Sequence, residues 1–246
     1  MGDHDRTVRF RKARRDPELT VVEGFHALKH ALRFGAELVE AVAVEPERLD
    51  ELARELAPDL AGQLGDRVER VEPDVLAGLT PLVPRTGVVA IACRPPVDVA
   101  AVLADPGPAP VVLLEQPKNM GNIGACIRVA AGAGAAAVLT TGENDPWYPD
   151  AVRGAAGLHF ALPVAAVASL PPSDRPLLAI DPEGEEMSAA RLPDRAVLAF
   201  GTERHGLGSE LLERADARVA IPMRAGVSSL NLATSVAIAL YCQRLG

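Results

Sequence analysis

The run Val111-Val112-Leu113-Leu114 limits what this chain can fold into more than any other stretch. It has no polar alternation and so no face for water. A strand built from it is buried on both sides, as in a parallel sheet covered by helices. Further strand-length runs follow at Ala136–Thr140, Phe160–Val164, Leu177–Ile180, Ala196–Phe200 and Arg218–Ile221. Helical stretches fill the gaps, among them Ile123–Ala133, Asp150–Ala156 and a last one from about Leu230 to Arg244. This alternation predicts an α/β unit with a mostly parallel sheet and helices on both faces.

The first part of the chain alternates in the same way but more weakly. Strands are expected at Leu19–Glu23, Leu38–Val44, Val68–Val71 and Thr86–Cys93. Between them, helices are expected at Phe25–Phe34, closed by Gly35, over Pro46–Leu64 with a break at Pro58, and at Glu72–Leu79. A proline-rich stretch, Arg94-Pro95-Pro96 to Asp105-Pro106-Gly107-Pro108-Ala109-Pro110, then interrupts both patterns. The expected organisation is a basic arm at 1–16, a smaller α/β domain at 17–94, a linker at 95–110 and the parallel-sheet domain at 111–246.

Composition narrows the function. Apolar residues make up 48% of 246, enough for a substantial core, while aromatics at 3% argue against broad base-stacking platforms. The net charge of −8 excludes an all-round basic surface but not a local basic patch. Arg6, Arg9, Arg11, Lys12, Arg14 and Arg15 form such a patch, which reads either as a solvated tail or as an arm that touches phosphates. Cys93, Cys126 and Cys242 are isolated in sequence and read as small core residues rather than a disulfide set or metal cluster. His26 and His30 sit one helical turn apart without further ligands nearby, so no metal is expected. No signal peptide or membrane-length apolar run is visible, and a reducing cytoplasm is the expected compartment.

Three segments carry chemistry. Asn122 can cap the helix that opens in Gly121-Asn122-Ile123-Gly124, with Arg128 further along it. A capped core helix with a surface arginine explains that segment equally well. In Gly201-Thr202-Glu203-Arg204-His205-Gly206 a carboxylate lies among glycines after a buried strand. Glu203 could cap the next helix, but Ser209 does so better, which favours a functional role. Ser229-Leu230-Asn231 puts polar groups at the mouth of an apolar helix, after Ile221-Pro222-Met223. Glycines and helix starts expose main chain, so the site is expected to be built largely from backbone.

In this order the segments resemble the SpoU (TrmH) family of ribose 2′-O-methyltransferases, of the SPOUT superfamily. The matching patterns are Asn122-x-Gly124-x-x-x-Arg128, Gly201-x-Glu203-x-x-Gly206-Leu207, and Ile221-Pro222-Met223 with Ser229-Leu230-Asn231. The chain departs from the family at Ala233, where a serine is common, and at Gly226, one place late. The resemblance implies a C-terminal trefoil knot and a smaller N-terminal RNA-binding domain similar to some ribosomal proteins. It also implies a homodimer and S-adenosylmethionine as methyl donor, with no metal. Gly201, Ile221, Met223, Ser229 and Leu230 match the donor-holding positions. Arg128 matches the catalytic one, either taking the 2′-hydroxyl proton or orienting ribose and phosphate, supported by Asn122, Glu203, Ser229 and Asn231. Arg9, Arg11, Lys12, Arg14, Arg15 and Arg153 are the candidate RNA-binding residues. The substrate implied is 23S ribosomal RNA, with transfer RNA, or ribosomal RNA modified for antibiotic resistance, as alternatives. A nucleotide-dependent dehydrogenase lacks its full glycine fingerprint here, and an idle RNA-binding factor would not need the Asn122, Arg128, Glu203 and Asn231 set.

Overall fold

The computed structural model describes residues 3–64, 67–202 and 205–245. The chain forms two compact units. The first comprises the chain up to Pro96 together with Trp147–Ala161; the second comprises Val97–Pro146 and the chain from Leu162 onward.

The first unit contains α1 (Asp3–Ala13), β1 (Leu19–Glu23), α2 (Phe25–Arg33), β2 (Leu38–Ala43), α3 (Pro46–Leu56), β3 (Glu69–Arg70), α4 (Pro73–Leu79) and β4 (Val88–Cys93). Its sheet runs β1-β4-β2-β3. β4 is antiparallel to both β1 and β2, and β3 joins β2 in parallel. The reading of residues 1–16 as a solvated tail is corrected by α1. Phe10 and Ala13 on that helix are buried in a cluster with Val21, Val42, Leu76 and Ile91. Arg6 is only 4% exposed, paired with Glu40 and Glu69, each at 2.6 Å. The helix therefore packs through two apolar residues and an arginine whose charge two carboxylates answer.

The second unit contains α5 (Val99–Ala104), β5 (Val111–Leu114), α6 (Met120–Ala133), β6 (Ala137–Thr140), β7 (Val164–Ala166), β8 (Leu177–Glu186), β9 (Val197–Phe200), α8 (Ser209–Arg214), β10 (Ala217–Ala220) and α9 (Leu232–Leu245); α7 (Pro149–Gly154) belongs to the first unit. Its six strands are all parallel, in the order β10-β8-β9-β5-β6-β7. All four residues of β5 are fully buried, as their unbroken apolar run requires.

The apolar run Phe160–Val164 is not one strand. Leu158–Ala161 form a 3-10 turn and only Val164 onward joins the sheet. Phe160 instead stacks edge-on against Trp147, with ring centroids 5.2 Å apart, inside the first unit. Pro163 then precedes the strand, and the chain changes unit between Ala161 and Leu162. Just before this run, Gly157 lies so close to Ala27 that a Cβ would overlap the Ala27 carbonyl.

The proline-rich stretch is held by two arginines, Arg195 donating to the Asp105 and Leu103 carbonyls at 2.7 and 3.1 Å and Arg175 making the larger set of contacts. Arg175 is 4% exposed and donates to the carbonyls of Val102, Leu103, Asp105 and Ala109 at 2.8–3.1 Å. Those carbonyls include the free C-terminal end of α5, which lacks intrahelical donors. Burial lowers the Arg175 pKa, opposing the charge that the four dipoles stabilise.

Candidate active site

The parallel sheet positions the site through its register. Leu114 of β5 pairs with Phe200 of β9, and Ile180 of β8 pairs with the same Phe200. The loops leaving these three strands therefore start at one level, on the carboxyl edge. From β5 the chain moves outward to β6 and β7, whereas β9 and β8 lie on its other side. Loops diverge at such a switch in strand order and leave a crevice.

A cleft of about 220 Å³ lies there. Its walls come from the end of β8 (Ile180, Asp181, Pro182), the end of β9 (Phe200, Gly201, Thr202, Gly206), and the segment leading into α9. Gly201, Ile221, Met223, Ser229 and Leu230, the five residues expected to hold a donor, all line it. Thr202 and Gly206 exchange backbone hydrogen bonds at 3.1 and 2.9 Å, closing a tight loop. A Cβ on Gly201 would overlap the Gly206 carbonyl, so the loop's own closure demands glycine there. Glu203 and Arg204, between those residues, lie outside the described residues. His205 is exposed on the same loop. Glu115, directly after β5, accepts from the Gly208 N–H at 2.6 Å and so ties the loop after β9 to the loop after β5.

The starts of α6 and α9 meet at the cleft's side. Asn119, not Asn122, caps α6, its Oδ1 accepting from the Asn122 N–H at 2.9 Å. This corrects the expected cap by one turn position and leaves the Asn122 side chain to act elsewhere. Its Oδ1 accepts from Asn231 Nδ2 at 3.0 Å. Asn231 in turn caps α9, accepting from the Ala233 and Thr234 N–H groups at 3.0 and 3.4 Å. One asparagine thus fixes a helix start and reaches across to the other motif. Ser229 is exposed beside it, and Arg128 is exposed with no hydrogen bond or ion pair among the described residues.

The expected RNA-binding cations all belong to the first unit. Arg9 pairs with Glu40 at 2.7 Å. Arg14 and Arg153 both pair with Glu23, at 2.5 and 2.7 Å, and Arg153 also pairs with Asp150. Arg11, Lys12 and Arg15 are exposed. Cys126 is buried, Cys93 and Cys242 half-buried, and none of the three is in a disulfide. Burial, followed by the nearby Glu37 and Glu18, pushes the Cys93 thiol up. His30 meets the Ala156 carbonyl at 2.7 Å, and no group of three metal-ligating side chains occurs among the described residues.

Sequence reading missed Asp181, Glu115, Asn119 and Thr202. Asp181 and Glu115 share one legible signal: an acidic residue at the carboxyl end of an apolar strand in a parallel sheet.

A backbone-lined crevice at the strand-order switch, flanked by two asparagine-tied helix starts, defines an α/β protein with a small-molecule site on its sheet edge. The chain belongs to the SpoU rRNA methylase family, whose model matches residues 109–241, while residues 21–96 match the family of RNA 2′-O ribose methyltransferase substrate binding domains. An uncharacterized tRNA/rRNA methyltransferase of Mycobacterium tuberculosis is 38% identical, covering 78% of this chain and 70% of the relative. The 23S rRNA (guanosine-2′-O-)-methyltransferase RlmB of Bordetella pertussis is 30% identical, covering 90% and 95%. Among solved structures, the SpoU methyltransferase AviRb of Streptomyces viridochromogenes, in complex with the cofactor AdoMet, superposes with a TM-score of 0.76. It is 25% identical and covers 96% of this chain and 97% of that one.

Proposed function

We infer that this protein transfers the methyl group of S-adenosylmethionine to a ribose 2′-hydroxyl of RNA, with 23S ribosomal RNA as the substrate. The observation that carries this is the Asn122–Asn231 hydrogen bond, which draws the two family motifs together beside the cleft. The cleft fits the donor in kind: apolar walls at Ile180, Phe200, Ile221 and Leu230 suit a purine, and loop backbone supplies polar groups. When bound, S-adenosylmethionine supplies an electrophilic methyl on sulfur.

The chain's own part is orientation. Gly201, Ile221, Met223, Ser229 and Leu230 hold the donor. Arg128, free of ion pairs among the described residues, faces the acceptor. A guanidinium stays protonated in proteins, so Arg128 serves by hydrogen-bonding ribose and phosphate, and the 2′-hydroxyl loses its proton to water as the methyl moves from sulfur to oxygen. Asn122 and Asn231 keep that helix start in register with the cleft. Arg128→Ala is expected to lower transfer of labelled methyl to ribosomal RNA about a hundredfold or more, with donor affinity unchanged in calorimetry. Full activity in that variant would remove Arg128 from the reaction.

Three further elements complete this reading. The segment through α9 forms the trefoil knot implied by the family. α9 also pairs with a second copy, because Ile238, Tyr241 and Leu245 lie exposed along one of its faces. Sedimentation of Tyr241→Glu should give monomers where the unaltered protein gives dimers. Arg11, Lys12 and Arg15 are the cations left to meet RNA phosphates, in a cytoplasmic setting.

A further inference from the structure

The ladder between β8 and β10 is broken at one place. Arg218 pairs with Ala179 and the next residue, Val219, pairs with Glu185. The stretch Ile180–Gly184 therefore loops away from β10, and its first three residues, Ile180 still paired with Phe200 of β9, form a wall of the cleft. Gly184 permits this, since a Cβ there would overlap the Arg218 backbone. Arg218 reaches back over the bulge, donating to Asp181 Oδ1 at 3.0 Å and Glu183 Oε2 at 3.2 Å.

Asp181 is the product of this construction. It is 9% exposed, lines the cleft, and is its one charged side chain among the described lining residues. Oδ1 is fully engaged, by Arg218 and by the Glu183 N–H at 2.8 Å. Oδ2 accepts no hydrogen bond from any described residue. With no donor from those residues on it, Oδ2 is open to a donor that enters the cleft.

The nature of that donor follows from charge. The negative charge of Asp181 is already answered by Arg218, so an ammonium is not required. A purine edge offers donor and acceptor side by side, which backbone amides match and a lone acceptor oxygen does not. What remains is a hydroxyl. We propose that Asp181, held by Arg218 across the β8 bulge, binds a ribose hydroxyl of the methyl donor. This rests on the methyl-donor reading given above.

The test is calorimetry with four ligands: S-adenosylmethionine, S-adenosylhomocysteine, and S-adenosylhomocysteine carrying 2′-deoxyribose or 3′-deoxyribose. Asp181→Asn retains an oxygen for the Glu183 N–H, and an unchanged melting temperature confirms that the bulge survives. The variant is expected to bind S-adenosylhomocysteine about ten- to a hundredfold more weakly, the range for a hydrogen bond to a charged group. One of the deoxy ligands should bind the unaltered protein with a similar loss and show no further loss in Asp181→Asn. Equal affinity of variant and unaltered protein overturns the proposal. So does an equal loss for the hydroxylated and both deoxy ligands, because Asp181 would then act on some other group. An unaltered protein that binds none of the ligands overturns the methyl-donor reading itself, and this assignment with it.

Discussion

Glu23 shows how much one side chain can organise. It ends β1, its side chain is 1% exposed, and three donors converge on it: Arg14 and Thr80 on one oxygen, Arg153 on the other. These donors come from beyond α1, from beyond α4 and from α7, so three remote stretches share one anchor. Removing a buried partner leaves the others uncompensated, and Glu23→Ala is expected to cost about 3–5 kcal/mol in denaturant unfolding. Arg153 is 42% exposed, so Arg153→Ala should cost no more than about 1 kcal/mol. Equal losses in the two variants would show that burial does not set the energetics here. From sequence alone Arg153 is a candidate phosphate ligand, because nothing in Ala151-Val152-Arg153-Gly154 reveals a carboxylate so remote in the chain.

At the level of elements, α1 combines two faces that sequence could not separate. Its cations look alike in the string, yet Arg6 is buried against Glu40 and Glu69 while Arg11 and Lys12 are exposed. Only a helix docked by Phe10 sorts them. Replacing Arg11, Lys12 and Arg15 by Gln should weaken RNA binding and make it less sensitive to salt. The logarithmic slope should shrink by about 0.7–0.9 for every phosphate that is no longer neutralised. Donor binding and melting temperature should not change. An unaltered salt slope would place the RNA elsewhere. Strands and helices were both legible: β5, β6, β9 and the start of β8 lie where uninterrupted apolar runs predicted them, and α2, α4, α6 and α9 lie close to their expected bounds. The Phe160–Val164 run failed because its aromatic ring packs with Trp147 in the other unit, a choice made by tertiary partners.

For the whole molecule, several depressed carboxylates contribute to the response to acid, each modestly because each is exposed. Hydrogen bonds from Arg6, Arg33 and Arg195 hold Glu69, Asp59 and Asp174 below the usual carboxylate range. A carboxylate depressed in the folded state binds fewer protons there than when unfolded. Its contribution is complete above the unfolded value and is lost as pH falls through the folded one. Stability measured by denaturant unfolding should therefore hold from neutrality to about pH 5 and fall below about pH 4. Glu69→Gln should make that fall shallower, and a stability unchanged down to about pH 3 would contradict these pairings. No helix among the described residues is long and apolar enough to cross a membrane.

Apolar runs and glycines determined the parallel sheet and most of the cleft by themselves. A strand buried on both faces must be apolar throughout, and a loop that closes on its own backbone must carry glycine at Gly201. Both demands are local and therefore visible in the string of residues. Asn122 and Asn231 were visible as motif residues, but their hydrogen bond was not, because it joins helix starts far apart in the chain. The Asp181–Arg218 pair, the Arg175 clasp and the membership of Trp147–Ala161 in the first unit were decided only by tertiary structure. Each depends on which distant backbone or charge comes within about 3 Å, and hydrogen bonds act only at that range.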